Sequence, residues 1–206
     1  ITVEEKSAFD DLVTNIDKET QDLLVARIKS AFPTDNILAE ENDMVHNIKD
    51  GNVWVLDPID GTVNFIVQQD NFCVMIAYYE KGQGKFGLIY NVMADQLFYG
   101  GGQFDVYCND KLLSPYKRRP LDRCLVGSNA AMYAKNYHGI KGFIDKTLGV
   151  RVYGGAGLSM SKVLSGQILA YFSVIYPWDY AAASIMGKKL DYQLETITGE
   201  LLDYSS

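Results

Sequence analysis

Asp57 and Asp60 stand three residues apart in the stretch WVLDPIDGTVNF, Trp54 to Phe65. The apolar run Val53 to Leu56 leads straight into Asp57, and Gly61 and Thr62 follow Asp60 at once. Asp, Pro and Gly are turn formers, so the run can be a plain turn. The same residues can also build a metal and phosphate site. Pro58 has no N–H to give a sheet ladder, so the strand is expected to stop there. The restriction on residues before proline keeps Asp57 extended. The Ile59 carbonyl is then free to point out beside the two carboxylates. A helix beginning near Val63 would present unpaired N–H groups and partial positive charge, a seat for phosphate. The stretch alone leaves both readings open.

Three more carboxylates bear on the choice. Glu40 and Glu41 close the short apolar run Ile37-Leu38-Ala39, where a solvated acidic loop is the plain alternative. Asp179 lies in Pro177-Trp178-Asp179-Tyr180-Ala181-Ala182-Ala183, at the start of an Ala-rich helix. An N-cap is the plain alternative there, and a capping Asp can still lend an oxygen to a metal. If Glu40, Asp57, Asp60 and Asp179 converge, like charges ~4 Å apart repel by roughly 4 kcal/mol per pair at an effective dielectric of 20. Such a cluster needs cations. Oxygen-only donors favour Mg²⁺ or Mn²⁺ over zinc or copper. Other chemistries are poorly supplied. His46 and His138 are the only histidines, too few for a His-rich zinc site and a weak basis for a His-based triad. Gly82 to Gly87 spells G-x-G-x-x-G, but it lies between two expected strands with no helix after it, so it reads as a hairpin.

These residues need elements to hold them. Asp17 to Phe32 reads as a helix, with Leu23, Leu24, Ile28 and Phe32 at helical spacing, Asp17 as cap and Pro33 as stop. Strands are expected at Ile37–Ala39, Val53–Leu56, Phe72–Tyr79, Phe86–Tyr90 and Gln96–Tyr99. The second is apolar on both faces, as a central strand should be. From Cys124 the pattern becomes short strands alternating with helices. It gives strands at Cys124–Gly127 and Val150–Tyr153, and extended chain at Ile168–Val174. It gives helices at Ala130–Asn136, around Phe143, and at Leu158–Ser165 and Tyr180–Leu190. The joint falls at Ser114–Pro120. It divides an N-terminal α+β half, 1–113, from an α/β half, 114–206, within one compact unit. The fold class is an α/β (α+β) sandwich of alternating helix and sheet layers.

Composition narrows the partners. The chain has 206 residues, 48% hydrophobic and 22% charged, enough for a sizeable core. Its net charge of −7 argues against nucleic acid and anionic membrane as partners. Lys117-Arg118-Arg119, its one tight basic cluster, reads as a solvated loop. Cys73, Cys108 and Cys124 are odd in number and lack C-x-x-C spacing, which fits a reducing compartment such as the cytoplasm. No apolar run is long enough to span a bilayer, and no signal-peptide pattern occurs. The polar, helical-looking opening at Ile1 points to native sequence preceding it.

Leu38-Ala39-Glu40-Glu41, Trp54 to Phe65 and Pro177 to Ala182 occur in the order and rough spacing of the inositol monophosphatase family. Lys6-Ser7 with Asp11-Leu12-Val13-Thr14-Asn15-Ile16-Asp17 resembles that family's N-terminal motif. The resemblance covers nearly the whole chain. It implies a fold like inositol monophosphatase and fructose-1,6-bisphosphatase, and Mg²⁺-dependent hydrolysis of small phosphate monoesters by direct attack of a metal-activated water. By the same resemblance, Glu40, Asp57 and the Ile59 carbonyl hold one metal. Asp57, Asp60 and Asp179 hold a second, and a third, weaker ion sits near Glu40. Mn²⁺ is an expected substitute, and Li⁺ and Ca²⁺ are expected inhibitors. Thr62, hydrogen-bonded to Asp17, orients and helps deprotonate the water, with Glu40 at the catalytic centre. Gly61 and Thr62 offer N–H groups to phosphate, and Gly155, Ala156 and Gly157 touch the alcohol, with Asp60 and Asp179 alongside. A homodimer is implied. Family members carry a helix before Lys6, a strand after Ser206, and often an acidic residue on the strand before Trp178. This chain has Phe172-Ser173-Val174 there, in a segment about a residue short, so the alcohol side departs from the pattern. An NADP or other nucleotide phosphatase is the alternative on this fold. A non-catalytic regulatory or binding protein is the alternative of another class.

Overall fold

The architecture follows from one strand. In the computed structural model, which describes residues 1–6, 12–41, 44–202 and 204, strand β4 spans Asn52–Asp60. Trp54 and Leu56 point to one face and pack with Ile28, Ile37 and Ala39. Val53 and Val55 point to the other and join the main core. Both faces are therefore covered, which is why this strand reads as apolar without alternation. Its neighbours are β3, Asn36–Ala39, which pairs parallel, and β5, Cys73–Glu80, which pairs antiparallel. The sheet continues antiparallel through β6 (Gln83–Asn91), β7 (Gln96–Gly101), β8 (Phe104–Cys108) and β9 (Lys111–Leu112), giving the order β3-β4-β5-β6-β7-β8-β9.

β4 does not stop at Pro58. Asp57 pairs with Met75 and Asp60 with Cys73, so three steps along β4 match two along β5. The extra residue is a β-bulge, and Pro58, lacking an N–H, falls inside it. The expectation of a strand end at Pro58 is thus corrected: the missing donor is absorbed in the bulge and pairing resumes at Asp60.

Helix α1, Asn15–Ala31, lies against β4. Its N-cap is Thr14, whose hydroxyl accepts from the Ile16 and Asp17 N–H groups. Asp17, expected as the cap, is instead the third helical residue and reaches back to the Thr14 N–H at 3.0 Å, closing a capping box. The face of α1 meets expectation in part, with Ile28 buried and Leu24 packed beside it. Leu23 and Phe32 are exposed, and the buried positions are Asp17, Gln21 and Ile28. Ahead of α1, β1 (Val3–Glu5) and β2 (Leu12–Thr14) form a small antiparallel pair. The motif residues Ser7 to Asp11 lie outside the described residues.

The later part of the chain builds a three-stranded parallel sheet, β11-β10-β12, from Gly149–Arg151, Leu125–Ser128 and Tyr171–Phe172. Helices α3 (Ala130–Ala134) and α4 (Ile140–Ile144) put Met132, Ile140 and Ile144 against Val126 of β10. Helix α2 is Thr62–Gln68, between β4 and β5, and α5 is Ala156–Leu164. Helix α6, Pro177–Lys189, then returns to the large sheet and packs across β4 to β7. Among the described residues, no helix is long and apolar enough to cross a membrane.

The G-x-G-x-x-G run forms the β5–β6 hairpin and strand β6, as its context indicated. Its glycines serve packing. A Cβ on Gly87 would stand 2.3 Å from the Ala182 carbonyl oxygen, and one on Gly84 2.4 Å from the Ile185 side chain. Helix α6 therefore rests on bare strand backbone. Gly87→Ala should cost at least ~1–3 kcal/mol in denaturant unfolding, because the obstruction is main chain that cannot rotate away. Gly142→Ala, in the exposed interior of α4 with nothing within 4 Å of the new methyl, should instead gain about 0.5–1 kcal/mol. Equal unfolding free energies for the two variants would refute the packing argument.

Candidate active site

The bulge decides which way the carboxylates point. In an unbroken strand, residues three apart face opposite sides. The extra residue brings Asp60 to the face of Asp57, opposite Cys73 and Met75, which both belong to the main core on that side. From across the layer, the first turn of α6 supplies Asp179. One carboxylate oxygen each from Asp57, Asp60 and Asp179 lie within 4.8 Å of one another.

Each partner is tied down differently. Asp60 receives the start of α5: Ala156 N–H donates to Oδ1 and Gly157 N–H to Oδ2, both at 2.8 Å. A Cβ on Gly155 would stand 2.7 Å from Oδ2, so the approach needs glycine. Asp179 accepts from the Tyr176 N–H through Oδ2 at 2.7 Å. It is the third residue of α6 rather than its N-cap, which is Tyr176. Asp57 is buried to 1% exposure, and among the described residues no N–H or hydroxyl donates to either of its oxygens, which face the Asp179 carboxylate.

An unpaired buried carboxylate is costly, and the proton affinities reflect it. Burial, then the charges of Glu40, Asp60 and Asp179, push Asp57 well above the usual carboxylate range. Burial, then Asp60, raises Asp179 to about 8. Burial also raises Asp60, but only to about 6, because the α5 N–H groups stabilise its anion. Such a set is relieved by a divalent cation with oxygen preference, and the donors present fit one.

Glu40 stands beside this group. Its side chain is 22% exposed and accepts from Lys6 Nζ at 2.9 Å. Its charge still reaches Asp57 and Asp179. Burial is the largest influence on Glu40 and raises it, partly offset by Lys6. Glu41 is buried and takes Lys6 at 2.6 Å. Its main chain is clamped by Gln21, which donates to the Glu41 carbonyl at 2.5 Å and accepts its N–H at 2.9 Å. The Lys6 pairing and the Gln21 clamp escaped the sequence reading. A signal existed for Gln21, which lies one helical turn after Asp17 on the same face.

Thr62 Oγ1 lies 3.1 Å from Asp17 Oδ1 and 3.1 Å from the Ile59 carbonyl oxygen. A hydroxyl has one proton, so one of these acceptors holds it at a time. Asp17 Oδ2 meanwhile accepts from Thr14 N–H and Thr14 Oγ1. Gly61, with φ of +88°, ends the strand and caps α2. Asn64 of α2 donates to the carbonyls of Asn71 at 3.0 Å and Tyr153 at 2.9 Å, fixing the approach of residues 153–157. All the expected site residues thus lie on elements that meet here. Ala156 and Gly157, expected to face the alcohol, have their N–H groups on Asp60.

A profile of the inositol monophosphatase family matches residues 1–206. Inositol-1-monophosphatase of Bacillus subtilis is 39% identical over 97% of this chain and 78% of that protein. Among solved structures, an IMPase/NADP phosphatase complexed with Mg²⁺ and phosphate superposes with TM-score 0.91 at 28% identity, over 98% of this chain and 77% of that one. The structure of 2'AMP-bound SaIMPase-II gives TM-score 0.88 at 33% identity, over 94% and 76%.

Asp57→Asn separates charge from shape. Mg²⁺ should raise the melting temperature of the wild type progressively with concentration and leave the variant unmoved. Without Mg²⁺ the variant should melt at or above the wild type, since one charge of a repelling set is gone. A wild-type-sized Mg²⁺ response in Asp57→Asn would remove Asp57 from the metal site.

Proposed function

The chain belongs to the inositol monophosphatase family, and from that premise we infer how its own residues would cleave a small-molecule phosphate monoester. It is a phosphatase of the inositol monophosphatase type. The observation that carries the proposed mechanism is the buried Asp57 carboxylate, which meets no N–H or hydroxyl donor among the described residues and faces two further carboxylates. Asp57, Asp60, Asp179 and the Ile59 carbonyl would hold Mg²⁺, with Glu40 alongside. Two to three ions would share the site, and Asp57 would be common to two of them. A bound divalent cation supplies Lewis-acid charge that lowers the pKa of water, neutralises the phosphate and steadies the leaving oxygen.

The chain's own groups do the positioning. Thr62 Oγ1, donating to Asp17 Oδ1, can accept a proton from the attacking water while its own moves toward Asp17. The N–H groups of Gly61 and Thr62, at the first turn of α2, would take phosphate oxygens. Gly155 to Gly157 would border the alcohol through atoms other than the Ala156 and Gly157 N–H groups. No covalent intermediate enters this reading. Cys73, the thiol nearest the group, is pushed well up by burial and by the Asp60 and Asp57 charges, so it stays protonated. Mn²⁺ is a fitting substitute for Mg²⁺, and Li⁺ and Ca²⁺ are fitting inhibitors. Each chain would be one compact unit of the 1–113 and 114–206 halves, and two such chains would form a homodimer.

Phosphate release from a small monoester should require Mg²⁺ and vanish in excess chelator. Full turnover with metal verified absent would sink the mechanism. Thr62→Ala should lower kcat by ~10²–10⁴-fold with little change in KM or Mg²⁺ affinity. Asp17→Asn should do the same, and the double variant should be little worse than either. Additive losses, or a loss confined to metal affinity, would reduce Thr62 and Asp17 to a turn residue and a helix cap.

A further inference from the structure

We propose that Gln21 is a positioning residue of the metal site. Its buried side-chain amide, closed on the main chain of Glu41, fixes the turn that presents the Glu40 carboxylate, and so sets how tightly that side of the site holds a divalent cation. The inference rests on the metal site proposed above and adds to it a residue that touches no ligand itself.

Strand β3 ends at Ala39, where its pairing with β4 also ends. Glu40 keeps one main-chain bond to the sheet, from its N–H to the Leu56 carbonyl at 3.3 Å, which is long for such a bond. Gln21 takes over at the next residue. Its Nε2 donates to the Glu41 carbonyl at 2.5 Å and its Oε1 accepts the Glu41 N–H at 2.9 Å, as a neighbouring strand would. Nε2 also lies 3.7 Å from Met44 Sδ. Among the described residues, the polar contacts of the Gln21 side chain thus go to Glu41 and Met44 alone. The residue is 0% exposed, so bulk water has no access to replace the amide, and the two Glu41 groups would be left unpaired without it.

Lys6 does not do the same work. Its ammonium reaches Glu40 at 2.9 Å and Glu41 at 2.6 Å, but an ammonium on a flexible stem is a point charge without a fixed fork. It offsets charge and leaves the direction of the turn to the amide. Direction matters because the charge of Glu40 weighs on Asp57 more than that of Asp60 or Asp179. Mg²⁺ tolerates little departure from octahedral geometry, so a carboxylate on a loose turn serves it poorly. One buried face of α1 therefore acts twice. Asp17 meets Thr62 Oγ1 at 3.1 Å, and Gln21, one turn later, holds Glu41.

The test is calorimetric titration of the folded chain with Mg²⁺ alone. Gln21→Met keeps the length of the side chain but can pair with neither group of Glu41. It should weaken Mg²⁺ binding about ten-fold, a usual loss when a group that supports a metal ligand is removed. Ile28→Val, buried on the same helix, should lower the melting temperature and leave Mg²⁺ binding at the wild-type value, which separates positioning from general destabilisation. Glu40→Gln should weaken binding at least as much as Gln21→Met, and the double variant should be little worse, because Gln21 acts through Glu40. Should Gln21→Met not fold, Gln21→Asn, whose amide is one methylene short of Glu41, is read the same way. Wild-type affinity in a folded Gln21 variant, or an undiminished ten-fold loss in the Glu40→Gln background, overturns the proposal while the metal site stands. Wild-type affinity in Glu40→Gln removes Glu40 from the metal site, and this inference falls with that assignment.

Discussion

Asp57 carries both carboxylate oxygens into the interior with no N–H or hydroxyl among the described residues donating to either, and the rest of the site is arranged around that fact. Three helices, α1, α5 and α6, aim their N-termini at the region, and each is met by a carboxylate. Asp17 closes α1 through the Thr14 N–H. Asp60 takes the first N–H groups of α5, and Asp179 takes the Tyr176 N–H at α6. Helix N-termini carry partial positive charge, so these anions are partly balanced by backbone. Asp57 has no helix end of its own. It is the position where protein alone cannot supply the counter-charge, and where a cation has most to gain.

Placing these groups together takes distant parts of the chain. Asp179 is delivered by a helix seated on the bare backbone of Gly84 and Gly87, so its position relative to β4 is set by contact of main chain with main chain. The α5 N-terminus is delivered by the 153–157 segment, which Asn64 holds across 89 residues of sequence through the Tyr153 carbonyl. Neither Asn64 nor the β6 glycines have any chemistry of their own. Their effect is to hold the carboxylates at separations that a small ion can span.

Much of this was legible in the sequence, and unevenly so. Glu40, Asp57 and Asp179 each sit where an apolar run gives way to acid, just after a strand, inside one or at a helix start, and that contrast survives without coordinates. Helix α1 misled on its face because its buried side serves the site with Asp17 and Gln21, so the apolar residues Leu23 and Phe32 mark solvent instead. Strands β8 and β9 escaped because only Val106 among them is buried, which leaves almost no alternation to see. The bulge escaped because Pro58 argues against a strand, and only the pairing of Asp60 with Cys73 shows the strand resuming.

That bulge has a bearing on how the chain can change length. Hairpin tips such as Val92 to Asp95, between β6 and β7, can gain or lose a residue with little effect on strand faces, because the pairing on either side is kept. Residues 57 to 60 have no such latitude. If all four residues paired in an unbroken ladder, the two-residue alternation of β4 would swing Asp60 to the α1 side of the sheet. The first N–H groups of α5 would lose their acceptor in the same step. An insertion would leave a second unpaired residue to accommodate. Deleting a residue would leave Asp60 on the face of Asp57 but remove the bulge that carries the Ile59 carbonyl to Thr62, so a change of length costs the site more there than in the hairpin tips around it.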